Sequence, residues 1–258
     1  MFYLFNLILY QPIFNLFVGL YNVLPGHDVG VAILAITVII RVIVYPLTNS
    51  SIKAQKSMQD LQPKMEALKK EYKDDKQKQA QALMELYKEH KVNPFASCLP
   101  LLIQLPILIA LYTVMRDALA SKGLTDVLYG FVMNPGTISP LSLGFFHMDQ
   151  PNIYLAVLAG AAQYVQAKMS LAKQPPKDAG PGAKDENMAA MMSKQMLYMM
   201  PVMTVVIGAS LQSGLTLYWL LSTLLMIAQQ WWMFRKKDVG AVPPITPSGN
   251  IIEGQIVK

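Results

Sequence analysis

Charge is scarce in this chain. Only 15% of its 258 residues are Asp, Glu, Lys or Arg, where a soluble domain carries about 25%. With 53% hydrophobic residues and a mean hydropathy of +0.32, that shortage excludes an ordinary soluble domain and points to lipid as the solvent. Cysteine is nearly missing too: Cys98 stands alone. It cannot form an intrachain disulfide and reads as a small apolar residue at the entrance of a span. The first residues lack a basic n-region and a small-residue cleavage site, so no cleaved leader is expected. No P-loop and no repeat of fixed period occur.

What is present is a set of long charge-free runs. Forty residues separate Lys194 from Arg235 without an acidic or basic side chain. As one helix they would extend roughly 60 Å, about twice the hydrocarbon core, so the run must fold back. Gln212-Ser213-Gly214 is the expected turn. Similar runs at 95–115 and 150–167, and one from Val29 interrupted only by Arg41, complete an all-α, five-span polytopic membrane protein. The spans are expected at about 29–51, 95–115, 150–168, 195–211 and 215–234.

Basic residues mark the cytoplasmic side of a membrane protein. Residues 1–40 carry no Lys or Arg, whereas 49–94 carry ten. Successive connections then hold two, five, none and four basic residues. This alternation fits an N-out, C-in chain. Residues 1–24 are uncharged but broken by Asn6, Gln11, Pro12, Asn15 and Asn22. They read as an amphipathic helix in the outer interface, within a unit 1–28, in preference to a sixth span.

Within 49–94, Met58, Leu61, Met65, Leu68 and Tyr72 form one helical apolar stripe, and Leu83, Leu86, Tyr87 and His90 a second. An antiparallel cytoplasmic hairpin is expected. Asp75 caps its second arm, Pro63 kinks or breaks its first, and Asn93-Pro94 starts the next span. The hairpin should swing about Asn49–Ser51 and Asn93. Residues 173–193 read as a flexible linker. The core thus covers 29–237, and the Pro-rich tail 238–258 is expected to be disordered.

Arg41 is the sharpest feature. It lies well inside the first span, where an arginine costs about 2.5–3.5 kcal/mol on insertion scales. The cytoplasmic end is about ten residues away, roughly 15 Å, too far for snorkelling. No span contains an acid to pair with it. A water-filled, protein-lined cavity is the remaining reading, and its unpaired positive charge would attract an acidic or strongly polar guest. Thr37, Gln104, Gln163, Gln166 and Thr204 are candidates to line the cavity. Gln212, Thr216, Tyr218 and Trp219 stand near the outer ends of the last two spans. Glutamine and threonine in spans also serve as glue between helices, so for these residues both readings stay open. The methionines clustered at 188–203 read as core or lipid contacts.

These residues also carry a family likeness. GVAILAITVIIRVIVYPL (Gly30–Leu47), NPFASCLPLLIQLPILIALY (Asn93–Tyr112), SGLTLYW (Ser213–Trp219) and LQPKMEALKKEY from Leu61 resemble, in order and spacing, segments of the YidC/Oxa/Alb insertases. The resemblance implies five core spans around a hydrophilic groove open to the cytoplasm and to lipid. Arg41 would be the groove's arginine, and Tyr218 and Trp219 would touch the client. It implies a bacterial cytoplasmic membrane location and nascent membrane proteins as clients. Ribosome and Sec translocon are implied partners. The hairpin would touch ribosome, targeting receptor or incoming chain, with Leu61, Met65, Leu68, Tyr72, Leu83 and Tyr87 as its expected contact residues. No specific nucleic acid, cofactor, metal or catalytic residue is expected.

Two other readings compete. A small-molecule anion transporter could use Arg41 as its binding site, but proton coupling usually needs an intramembrane acid or histidine, and inverted broken helices are not evident. A non-catalytic assembly factor would have no need of a wet arginine.

Overall fold

A computed structural model of the chain describes residues 2–73, 75–93, 99–120, 127–170 and 195–235. The chain begins with a helical turn Phe2–Phe5 and a π-helical stretch Asn6–Tyr10 that lead into α1 (Gln11–Val23). There follow α2 (Val29–Glu71), α3 (Lys76–Glu89) and α4 (Leu99–Leu119). A two-stranded ribbon, β1 (Leu141–Ser142) and β2 (Phe146–His147), precedes α5 (Ile153–Ser170). A π-helical stretch Gln195–Met199 opens into α6 (Met200–Gly208), and α7 (Ser213–Arg235) closes the described chain. The described residues are all-α apart from the ribbon.

Tyr3–Val23, Val29–Glu71 and Leu102–Leu119 are long and apolar enough to cross a membrane, and Leu197–Gly208 is a shorter apolar helix. α5 and α7 have 18 and 23 residues, but their glutamines and terminal cations dilute their apolar content. Contacts fix how the helices run. Ile33 meets Gly214, Arg41 bonds Ser222 and Thr48 bonds Gln229, so α2 and α7 are parallel with a constant offset. Met115 also meets Gly214 while Gln104 bonds Tyr218, so α4 runs the other way. Ala156 meets Gly208, and Gly160 meets Pro201 and Val205, which makes α5 and α6 antiparallel. Successive apolar helices therefore alternate in direction.

α5 packs through its smallest residues. Ala156, Ala159, Gly160, Ala162 and Ala167 are buried while Tyr154, Val157, Leu158 and Val165 face outward. Small residues let helix backbones approach where lipid removes the hydrophobic drive to associate. The larger core lies at the end where α2 begins. Phe14, Phe17, Val18 and Tyr21 of α1 pack there against Ile33 and Ile36 of α2 and Leu111 and Met115 of α4.

α1 and the stretch before it reach that same end through polar contacts. Tyr10 donates to Asp117 (2.9 Å), Asn15 to the Val127 carbonyl (3.0 Å) and Asn22 to the Met133 carbonyl (2.6 Å). Asp28 caps α2 by accepting from the Val31 N–H at 3.0 Å, and also accepts from Ser142 Oγ and the Leu143 N–H, both at 2.6 Å. Burial pushes the Asp28 carboxyl up, but the donors from Leu143, Ser142 and Val31 outweigh it and hold the group below its usual range.

Two expectations need correction, and of the kink or break at Pro63 the break does not occur. No break occurs at Asn49–Ser51 either: α2 is continuous for 43 residues through Pro46 and Pro63. Pro46 has no N–H for the Val42 carbonyl one turn back, and hydroxyls just beyond it bond back to the helix backbone. Thr48 donates to Val44 (3.2 Å) and Tyr45 (3.0 Å), and Ser50 to the Pro46 carbonyl (3.2 Å). Ser51 and Ile52 are buried, so tertiary packing holds the segment helical. The last reversal falls at 209–212, earlier than Gln212-Ser213-Gly214. Gly214 lies inside α7 because a Cβ there would stand 3.2 Å from Ile33 and 3.3 Å from the Met148 carbonyl. Asp75 does cap α3, accepting from the Lys78 N–H at 3.0 Å. Pro94, the linker 173–193 and the tail 238–258 lie outside the described residues.

Candidate functional site

Arg41 sits where α2, α4 and α7 meet. Its Nε and Nη2 both donate to Ser222 Oγ, at 3.0 and 2.6 Å. Ser222 lies one turn beyond Tyr218 on α7, and the Tyr218 hydroxyl accepts from Gln104 Nε2 at 3.0 Å. Tyr218 and Ser222 are buried, while Arg41 and Gln104 remain half-exposed. No carboxylate pairs with Arg41 among the described residues. The cluster thus holds one positive charge against neutral hydroxyls. A guanidinium has five N–H donors, so it is richer in donors than in acceptors. It suits an acceptor-rich guest such as a carboxylate or a run of peptide carbonyls.

Of the residues picked out from sequence, Arg41, Gln104 and Tyr218 come together. Thr37 is fully buried and donates back to the Ile33 carbonyl (2.5 Å), and Thr204 does the same to Met200 (3.0 Å). Both satisfy themselves within their own helix. Thr216 donates to the Gly208 carbonyl at 3.1 Å and joins α7 to α6. Gln212 lies in the 209–212 reversal with a buried, unbonded Oε1. Trp219 and Gln163 are half-buried on α7 and α5.

Gln166 belongs to a second polar cluster, nearer the hairpin. Its Nε2 donates to Ser170 Oγ (3.1 Å), and Gln230 Nε2 donates to both Ser170 Oγ and Gln55 Oε1 (2.8 Å each). Gln230 is fully buried and its Oε1 has no partner. Gln59 Nε2 reaches the Met169 and Ser170 carbonyls at 3.0 and 2.9 Å. Between the two clusters, Thr48 Oγ1 bonds Gln229 at 3.2 Å. A file of polar contacts therefore descends from Arg41 to the base of the hairpin. Ser222, Thr48, Gln229, Gln55, Gln230 and Ser170 escaped the sequence reading. A signal for some of them existed: Arg41, Thr48 and Gln55 recur every seven residues, as do Ser222 and Gln229.

In the hairpin, Leu61 is fully buried and Leu83 half-buried. The Tyr87 hydroxyl meets Met65 Sδ at 3.7 Å. Leu68 and Tyr72 line a cleft of about 400 Å³ with Lys64, Glu85, Leu86 and Glu89. Among the described residues no three His, Cys, Asp or Glu side chains converge as a metal site would require.

The arrangement defines a class: a multi-pass helical membrane protein with an unpaired arginine set among its apolar helices. The sequence profile of the 60Kd inner membrane protein family matches residues 15–239, and the chain belongs to that family. It is 38% identical over 207 residues to the membrane protein insertase YidC of Fusobacterium nucleatum subsp. nucleatum, covering 80% of this chain and 86% of that protein. The YidC of Syntrophobacter fumaroxidans is 35% identical over 213 residues, and that of Ectopseudomonas mendocina 31% over 233. This chain spans 35% of each of those two proteins. Among solved structures, an active YidC insertase crystal structure with the first transmembrane domain resolved superposes with a TM-score of 0.52. It is 28% identical, and the match covers 80% of this chain and 42% of that one.

Proposed function

We infer that the protein is a membrane protein insertase of the inner membrane, assisting apolar segments of other proteins into the bilayer. The observation that carries this reading is Arg41: a charge embedded in an apolar helix, held by a serine hydroxyl, with no acid beside it among the described residues. A client segment bound for the far side must bring its polar flank through the hydrocarbon. Donors from Arg41, Gln104 and the α7 hydroxyls offer that flank partners part-way across, which lowers the barrier. The client's apolar residues meanwhile stay in lipid along the outward faces of α5 and α6. The work done is transfer between solvents, and no covalent step is required of the protein.

The same reading extends to topology. α2, α4, α5, the α6 unit and α7 serve as five spans, with the hairpin 49–94 and the C-terminus cytoplasmic and residues 1–28 on the outer side. The alternating helix directions and the lysine distribution support this. Thr37, Gln163, Gln166, Thr204, Gln212 and Trp219 are assigned supporting places along the client's path. Nascent membrane proteins are the partners, delivered by ribosome or Sec translocon at the hairpin.

The test is insertion of a single-span client into vesicles holding the purified protein, with acidic or neutral residues on the translocated flank. Arg41→Ala should slow the acidic-flank client more than the neutral one. Arg41→Lys should keep much of the activity, because charge matters more here than a planar fork. Equal loss for both clients would remove the electrostatic role.

A further inference from the structure

The connection between α4 and α5 is uncharged and exposes large apolar side chains. Residues 127–146 contain no Asp, Glu, Lys or Arg. Several of their backbone groups bond side chains of other segments. The Tyr129 N–H donates to Asn15 Oδ1 (2.6 Å), the Met133 carbonyl accepts from Asn22 (2.6 Å), the Ser139 N–H donates to the Tyr21 hydroxyl (3.2 Å) and the Leu143 N–H to Asp28 (2.6 Å). Just beyond, the His147 carbonyl accepts from Ser213 Oγ at 2.5 Å. Four large apolar side chains nonetheless point outward: Phe131 is 84% exposed, Met133 80%, Phe145 67% and Leu143 66%, while Ile138 is buried and Val132 and Phe146 pack on the core. A loop in water shows polar groups outward. This one bonds several backbone groups inward and shows large apolar side chains outward beside the exposed Asn134, Thr137 and Ser139, a mixture that suits the boundary between headgroups and acyl chains.

Leu143 sharpens the point. It occupies the ribbon turn at φ +52, with Gly144 beside it at φ +82. The left-handed region is disfavoured for a residue with a Cβ, and Gly or Asn is the usual occupant. Leu143 makes the turn no easier to form, and its side chain is left in the open. The fold does not explain a leucine here; a partner for its side chain would.

We propose that this connection lies in the interfacial layer of the leaflet opposite the hairpin, with Phe131, Met133, Leu143 and Phe145 among the acyl chains. Lipid is the occupant because the apolar exposure continues into the adjoining helices. The residues cap the end of the bundle where Val31 and Leu34 of α2 and Ile153 and Tyr154 of α5 are themselves exposed. The absence of charge suits that layer, in which amphipathic elements bury their apolar side. The connection then anchors the depth of the spans, holding the tops of α2 and α7 through Asp28 and Ser213. The proposal rests on the membrane-spanning reading above.

The experiment uses the full chain in phospholipid vesicles, with Cys98→Ala and single cysteines introduced by Leu143→Cys or Phe131→Cys, each bearing a polarity-sensitive fluorophore. Val157→Cys on the outward face of α5 reports the span itself, and Glu85→Cys on the hairpin reports water. Both loop labels should emit blue-shifted light and lose emission to lipids carrying a nitroxide near the headgroup end of the acyl chain, with little loss to aqueous iodide. Loop labels quenched by iodide and not by nitroxide lipid, while Val157→Cys is quenched by lipid, overturn the proposal and leave the spanning reading intact. Loop labels shielded from both quenchers overturn it too, in favour of a second copy covering the loop. If Val157→Cys is itself quenched by iodide alone, the spanning reading falls and the proposal with it.

Discussion

Replacing Gly160 with alanine probes how closely α5 and α6 are pressed together. A Cβ at this position would collide with Val205 and stand 3.0 Å from the Pro201 carbonyl oxygen. Two terms oppose each other. Alanine in a helix interior gains about 1 kcal/mol over glycine. Overpacking a tight contact costs about 1–3 kcal/mol. Neither obstacle yields readily: Val205 is β-branched and stiff at χ1 in a helix, and the Pro201 carbonyl is backbone. Overpacking should win, leaving Gly160→Ala less stable by about 1–2 kcal/mol. Gly19 in α1 supplies the control, because a Cβ there meets nothing within 4 Å. Gly19→Ala should therefore be neutral or stabilising by about 0.4–1 kcal/mol. Unfolding in mixed micelles of rising denaturing-detergent fraction, followed by circular dichroism, measures both. Val205→Ala should recover much of the loss in the double variant. If Gly160→Ala proves as stable as Gly19→Ala, or Val205→Ala gives no recovery, the tight α5–α6 contact is wrong.

Other consequences are open to measurement. Gln104→Leu removes the donor to the buried Tyr218 hydroxyl, at a cost of about 1 kcal/mol, and should slow insertion of the acidic-flank client; unchanged insertion would leave Gln104 as glue between helices. Asp28 titrates below its ordinary range when folded. Its contribution is full at neutral pH, declines as pH falls past the unfolded value of about 3.9, and is lost below the folded one. Asp28→Asn should therefore flatten that acid limb of a thermal-stability profile, and an unaltered profile would count against the cap. Leu61→Ala empties a fully buried site in the hairpin, costing about 2–5 kcal/mol; hydrogen exchange should accelerate in 76–89 while the span amides stay protected.

The helices were legible because lipid imposes a coarse rule: long runs without charge must span or fold back. That rule placed α4, α5 and α7 to within a few residues, and put one unit over the π-helical stretch Gln195–Met199 together with α6. Asp75 was legible as a cap because a capping aspartate acts locally. The hinge at Asn49–Ser51 misled because two serines and an asparagine have poor helix propensity in isolation, and propensity cannot register that Ser51 and Ile52 are buried by partners far along the chain. Arg41 announced itself through its cost. Ser222 did not, since a serine in a span is cheap and common. It became identifiable once α7 lay parallel to α2 in a fixed register, a fact of tertiary structure. Residues 127–146 read only as a connection, because exposure of Phe131 and Leu143 cannot be judged until the backbone's partners are known.

The unbroken α2 has a mechanical consequence. Forty-three residues at about 1.5 Å each make a rod of roughly 65 Å, with Arg41 near one third of its length. A rod of this kind turns displacement at its hairpin end into tilt at the arginine. Its compliance is uneven: Pro46 and Pro63 each remove one rung of the hydrogen-bond ladder, so bending concentrates at those two points. Pro46 lies five residues from Arg41, and the polar contacts of Thr48 and Gln55 with α7 clamp the rod just beyond it. Force arriving at the hairpin from a bound partner would thus be transmitted past Pro63, resisted at the clamp, and delivered to Arg41 as a change in angle.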